Sequence, residues 1–124
     1  MPTTIMIVNE ALFVHKVVRL ALKGSVDAVF LEANDAAAAF EIAREYRGPI
    51  DLLVSDVAMG KMSGIEMAAS FCDIRTETRV LLMAGDTPEG AMKPSWQVIL
   101  KPFALSEIRE SVGNILAQNY RAAC

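Results

Sequence analysis

The stretch Asp51-Leu52-Leu53-Val54-Ser55-Asp56 decides how the rest of the chain is read. A run of long and branched apolar residues suits a strand buried on both faces, as in a parallel sheet. It ends on a single carboxylate, Asp56. A turn-rich loop with two glycines follows, Val57-Ala58-Met59-Gly60-Lys61-Met62-Ser63-Gly64, before a helical period begins. In an open α/β sheet, ligands collect outside the carboxyl ends of the strands, so Asp56 stands where such a fold does its chemistry. An aspartate that only shapes a turn gives the same local pattern. The surrounding chain has to separate the two readings.

On the N-terminal side, Ile5-Met6-Ile7-Val8 forms a first apolar run that ends on Asn9-Glu10. Val14, Val17, Val18, Ala21 and Leu22 then recur at helical spacing, and Lys23-Gly24 closes that helix with a cation and a residue suited to the left-handed cap. Val26 to Leu31 reads as a second strand. Asn34 or Asp35 caps a second helix that buries Ala36, Ala39, Phe40 and Ala43. Beyond Asp56, a third helix runs from Gly64 to Asp73, and Val80-Leu81-Leu82-Met83 is a fourth strand ending at Ala84. Pro88, Gly90 and Pro94 leave room for a turn or so of helix, a shortened fourth one. Val98-Ile99-Leu100 is the fifth strand, and the last helix carries Ile108, Val112, Ile115 and Leu116 on one face. Strands alternating with helices predict a three-layer α/β sandwich around a five-stranded parallel sheet.

The totals agree with one domain spanning residues 1–124. The 124 residues are 53% hydrophobic and 22% charged, with a formal net charge of −3, a globular balance large enough for a core. Without a Lys/Arg cluster, neither nucleic acid nor an anionic membrane is expected as a partner. No apolar run approaches the roughly 20 residues of a membrane span, and the first residues lack the pattern of a signal peptide. Cys72 and Cys124 are far apart in sequence, which predicts unpaired thiols in a reducing cytoplasm.

Chemistry-bearing residues stand at the strand ends: Asn9-Glu10, Asp56, Ala84 and Lys101. If the strands that carry them lie side by side, two carboxylates and one ammonium converge on one crevice. Carboxylates brought together need a counter-ion, and an oxygen-rich pocket of Asp56, Glu10 and a loop carbonyl suits Mg²⁺. An ionised Asp56 is then able to attack a phosphoryl group, with Lys101 holding a phosphate oxygen as a point charge.

From Ile5 to Ala117 the chain resembles the receiver domains of response regulators, including the single-domain chemotaxis regulator. Asn9-Glu10 matches the acidic pair, Asp56 the phosphoacceptor, Met59, Met62 and Gly64 the loop behind it, and Lys101-Pro102-Phe103 the lysine–proline motif. The resemblance implies a flavodoxin-like strand order 2-1-3-4-5 and phosphoryl transfer from a histidine kinase or histidine phosphotransfer protein. It also implies Mg²⁺ held by the acidic pair, Asp56 and the backbone carbonyl of Ala58, and a downstream protein partner that reads the phosphorylated state. Such a chain is a signalling module rather than an enzyme.

The departures from the family pattern are as specific as the matches. Asn9 removes one negative charge from the metal site, and Gly60 replaces the usual proline. At the two switch positions, Ala84 stands for the usual hydroxyl residue and Val98 for the usual aromatic. The alternative reading is therefore a pseudo-receiver, an interaction module that works without phosphorylation. A nucleotide-binding enzyme is disfavoured because no Gly-rich phosphate loop follows the first strand. Several residues have plainer readings. Asn9 suits a helix cap as well as metal contact, and Glu10 suits a helix N-terminus. His15 reads as an exposed surface residue of the first helix. The methionines read as core filler, and Trp96 as either a partner anchor or a lid on the core.

Overall fold

The computed structural model describes residues 2–88, 92–118 and 124. In chain order the elements are β1 (Thr3–Val8), α1 (Leu12–Leu22), β2 (Ala28–Ala33), α2 (Ala36–Glu45), β3 (Leu52–Asp56), α3 (Gly64–Ile74), β4 (Arg79–Ala84), β5 (Gln97–Leu100) and α4 (Leu105–Ala117). All strand pairs are parallel, and the order is β2-β1-β3-β4-β5. This is the doubly wound arrangement and strand order expected from the alternation and the resemblance, with β3 at the centre.

Two apolar clusters divide the molecule by strand parity, because successive side chains along a strand point to opposite faces. Met6, Val8, Leu53, Val80 and Leu82 pack with α2 and α3 on one face. Ile5, Ile7, Leu52, Val54, Leu81, Met83 and Ile99 pack with α1 and α4 on the other. Leu52, Leu53 and Val54 are fully buried, which is why β3 reads as a continuous apolar run rather than an alternating one.

Local chemistry sets the helix ends. Asp35, one of the two candidate caps, accepts a hydrogen bond from the Ala38 N–H at 2.8 Å and starts α2. Ser63 does the same for α3 through the Glu66 N–H at 3.2 Å. Past α1, Gly24 takes a φ of 81° as the left-handed cap. The Val26 N–H still bonds the Leu22 carbonyl at 3.2 Å, so the chain is committed to the end of α1 there. For that reason β2 begins at Ala28 rather than at Val26.

Three further expectations are corrected. The short helix predicted between β4 and β5 is not formed among the described residues. There the chain makes a turn closed by the Trp96 N–H on the Lys93 carbonyl at 3.0 Å, and Glu89 to Ala91 lie outside the described residues. His15 is buried, 1% exposed, because its position on α1 faces β2 and the end of β1 rather than solvent. Cys72 and Cys124 are joined in a disulfide across 52 positions of sequence. Their Cα atoms lie 5.5 Å apart because residue 124 returns to pack against α3, a closure that linear spacing cannot reveal. Trp96 resolves in favour of the lid: it is buried in the α2/α3 cluster. Among the described residues no helix is long and apolar enough to cross a membrane.

Candidate functional site

The register of the sheet brings the strand-end residues to one corner. Val8 pairs with Ser55, so the next positions, Asn9 and Asp56, are neighbours at the carboxyl edge. Asp56 pairs with Met83, and Ala84 pairs with Leu100, so Lys101 leaves β5 at the same edge. The Lys101 N–H donates to the Ala84 carbonyl at 2.7 Å and fixes where the lysine departs. Its ammonium then lies 2.5 Å from Asp56 Oδ1. The carboxylate is largely buried and the lysine half-exposed, 12% and 39% by side chain. The half-exposed lysine leaves the corner open to solvent on the β5 side.

Glycine at position 64 is a steric requirement. A Cβ there would sit 1.9 Å from the Asp56 carbonyl oxygen. The Gly64 N–H also donates to the Val57 carbonyl at 2.8 Å. The start of α3 is thus pressed against the end of β3, and the backbone beneath the Asp56 side chain is held in place. This gives the glycine of the loop motif a local physical reason.

Glu10 is exposed and reaches across the crevice to the loop after β3, where its Oε1 accepts from the Gly60 N–H at 3.2 Å. A proline at position 60 would have no N–H to give, so Gly60 and Glu10 form a pair that the family's usual residue cannot make. Beside them lies a cavity of about 460 Å³ lined by Glu10, Phe40, Met59, Lys61 and Met62 among others.

Asn9 is buried, with its Oδ1 accepting from the Ala11 N–H at 2.9 Å, which is the turn-shaping role open to it in sequence. Behind it, His15 Nε2 donates to the Asn9 carbonyl at 2.9 Å, and Nδ1 faces Glu32 Oε1 at 2.9 Å. Arg19 Nη1 bonds the same Glu32 oxygen. This network was not visible in the sequence, where Glu32 is only a polar residue in a strand and His15 carries no motif.

Of the two switch positions, Ala84 touches this corner through its backbone carbonyl, and Val98 lies three residues before Lys101 in β5. Ala84 is buried at the end of β4, and Val98 packs on the α2/α3 cluster that holds Trp96. Asp86, in the loop after β4, is exposed. Met67 and Met83 are fully buried, as core filler would be, whereas Met59 and Met62 line the cavity.

A model of the response regulator receiver domain family matches residues 5–113. The chain belongs to that family. Among solved structures it is similar to the receiver domain of the hybrid histidine kinase CckA, at 26% identity and a TM-score of 0.77 over 91% of this chain and 98% of that one. A response regulator from Thermotoga maritima is similar at 25% identity and a TM-score of 0.77, covering 95% of this chain and 100% of that one. The Vibrio cholerae chemotaxis protein CheY4 shares the fold at 18% identity and a TM-score of 0.76, over 93% and 99%. No curated protein matches the chain with significance. The match makes the chain a receiver domain of the two-component type, which implies phosphoryl acceptance.

Proposed function

We propose that Asp56 accepts a phosphoryl group from a histidine kinase or histidine phosphotransfer protein, and that the phosphorylated chain signals by binding a downstream protein. The observation that carries this reading is the ion pair between a largely buried Asp56 and Lys101 at the carboxyl edge of a parallel sheet. In the transfer, a carboxylate oxygen of Asp56 attacks phosphorus as the bond to the donor's imidazole nitrogen breaks. The electron pair of that bond returns to the ring. Lys101, already beside the carboxylate, turns its ammonium to a phosphoryl oxygen and offsets the charge that arrives.

The donor set fits a hard divalent cation. Asp56 and Glu10 offer carboxylates from two sides of the crevice. Glu10 reaches the loop after β3 through the Gly60 N–H, and the Ala58 carbonyl is part of that loop. Such an ion takes few protein ligands and keeps its waters. We place Mg²⁺ there, held by Glu10, Asp56 and the Ala58 carbonyl, where it supplies neutralisation of phosphoryl charge. With one carboxylate fewer than the family pattern, its affinity falls in the millimolar range, about 4 kcal/mol. A module fed by a kinase in this way is cytoplasmic and turns over no substrate of its own.

Incubation with acetyl phosphate and Mg²⁺ tests the reading by intact mass. The expected result is a gain of one phosphoryl group that Asp56→Asn abolishes. A parent protein that gains nothing, even with excess donor and a competent kinase, is a phosphorylation-independent binding module instead.

A further inference from the structure

Asn9 has three of its four polar groups committed. Its N–H donates to the Ala33 carbonyl at 3.1 Å, its carbonyl accepts from His15 Nε2 at 2.9 Å, and its Oδ1 accepts from the Ala11 N–H at 2.9 Å. The last bond fixes which way the side-chain amide faces. A flipped amide would set an NH₂ group against an N–H donor, so the oxygen belongs on the Ala11 side. The fourth group, Nδ2, is buried without a partner, in a residue only 4% exposed. Buried donors are paired as a rule, and an exception calls for a reason.

The register says what stands beside it. Asn9 and Asp56 are the positions next after the Val8–Ser55 pair. Alternation along both strands, through Ile5 and Ile7 and through Leu52 and Val54, carries their side chains to the α1/α4 side. Lys101, two residues beyond Ile99, follows the same alternation. In the sheet order, β1 flanks β3 on one side and β4 with β5 on the other. The orphaned donor and the lysine therefore approach Asp56 from opposite flanks.

We propose that Asn9 is a hydrogen-bond donor to the phosphoryl group on Asp56 rather than a ligand of the metal. The proposal rests on the reading of Asp56 as phosphoacceptor and assigns a contact within that site. A phosphoryl group on Asp56 brings oxygens that only accept. Lys101 serves them from the β5 side, and Asn9 Nδ2 gains from the β1 side the partner it lacks in the unphosphorylated chain. A carboxylate at position 9 would repel those oxygens; the neutral amide binds them and leaves the corner less attractive to a divalent cation. His15 holds the Asn9 backbone from behind through its carbonyl, while the Ala11 N–H orients the side-chain amide.

The test uses beryllofluoride as the phosphoryl analogue and Mg²⁺ alone as the metal probe, each titrated while amide shifts near Asp56 are followed. In Asn9→Ala, Mg²⁺ affinity should stay within about twofold of the parent. Analogue affinity at saturating Mg²⁺ should fall about tenfold or more, the loss of one charge-assisted hydrogen bond. Asn9→Asp keeps the oxygen that accepts from Ala11 and so preserves the turn. It should bind Mg²⁺ more tightly than the parent and yet also lose analogue affinity at saturating metal. If Asn9→Ala weakens Mg²⁺ and analogue together, Asn9 is a metal ligand through its oxygen. If neither variant changes analogue affinity, Nδ2 touches no phosphoryl oxygen. Either result overturns the proposal while leaving Asp56 as acceptor. A parent that binds no analogue at any Mg²⁺ concentration overturns both.

Discussion

Two corners of the carboxyl edge differ in how they are held. At the acceptor corner, Asp56, Lys101, Asn9 and Glu10 are tied by polar contacts to β1, β5 and the loop after β3. At the readout corner, Ala84 and Val98 have only apolar side chains to offer, and the chain between β4 and β5 forms no helix among the described residues. In the family, phosphate draws in a hydroxyl at the first position and an aromatic moves at the second. A ligand shifts a conformational equilibrium only by its differential affinity for the two states. Ala84 has no group to contribute to that difference, and Val98 is short and stiff about χ1. Acceptance and readout are therefore expected to be separable in this chain, and variants at each corner test it.

The largest effect is expected at Lys101. Lys101→Ala removes the ammonium that meets the incoming charge, and the initial rate of phosphoryl gain from acetyl phosphate should fall by about 10²–10³-fold. A drop of less than tenfold would show that the acceptor corner works without its cation. Next is Gly64→Ala. A methyl group aimed at the Asp56 carbonyl has no room, so the end of β3 must shift at a cost of about 3 kcal/mol or more. Chemical denaturation measures it, and unchanged stability would mean that the contact between α3 and β3 is loose.

The disulfide comes third. It closes a loop of 52 positions between α3 and residue 124, and Cys124→Ser should lower stability by about 2–4 kcal/mol under oxidising conditions, with no difference under reductant. Phosphoryl uptake should not change, since the bond is remote from Asp56. The smallest of these effects belongs to His15→Phe, which fills the buried space but leaves the Asn9 carbonyl without its donor and Glu32 with Arg19 alone, at a cost of about 1–3 kcal/mol. Rescue by His15→Gln, which restores one donor, would distinguish a lost hydrogen bond from a packing defect.

The parts legible in the sequence are those whose signal is local or repeats at a fixed period. Buried strands of a parallel sheet appear as short apolar runs, and the polar residues that end the runs share one edge, so the meeting of Asp56, Lys101 and Glu10 at that edge was legible. The His15–Asn9–Glu32 network was not, because it depends on how α1 lies against β2, and no periodicity links positions 15 and 32. The pairing of Cys72 with Cys124 is hidden for the same reason. Before β5 the breakers Pro88, Gly90 and Pro94 allowed a turn or so of helix, and among the described residues there only the turn from Lys93 to Trp96 is formed. The reason for Gly64 also emerged only from the structure, where backbone meets backbone.

Amide chemical shifts of the free and beryllofluoride-bound protein, compared residue by residue at saturating Mg²⁺, test most directly whether acceptance and readout are separable. The account predicts large changes at Asp56 and in the loops at the strand ends, Glu10 to Phe13, Ala58 to Ser63 and Gly85 to Pro88. It predicts little change at Val98 or along α4 from Glu107 to Leu116. Large shifts running through Val98 and down α4 would contradict it, since they would show a relay operating without the hydroxyl and the aromatic.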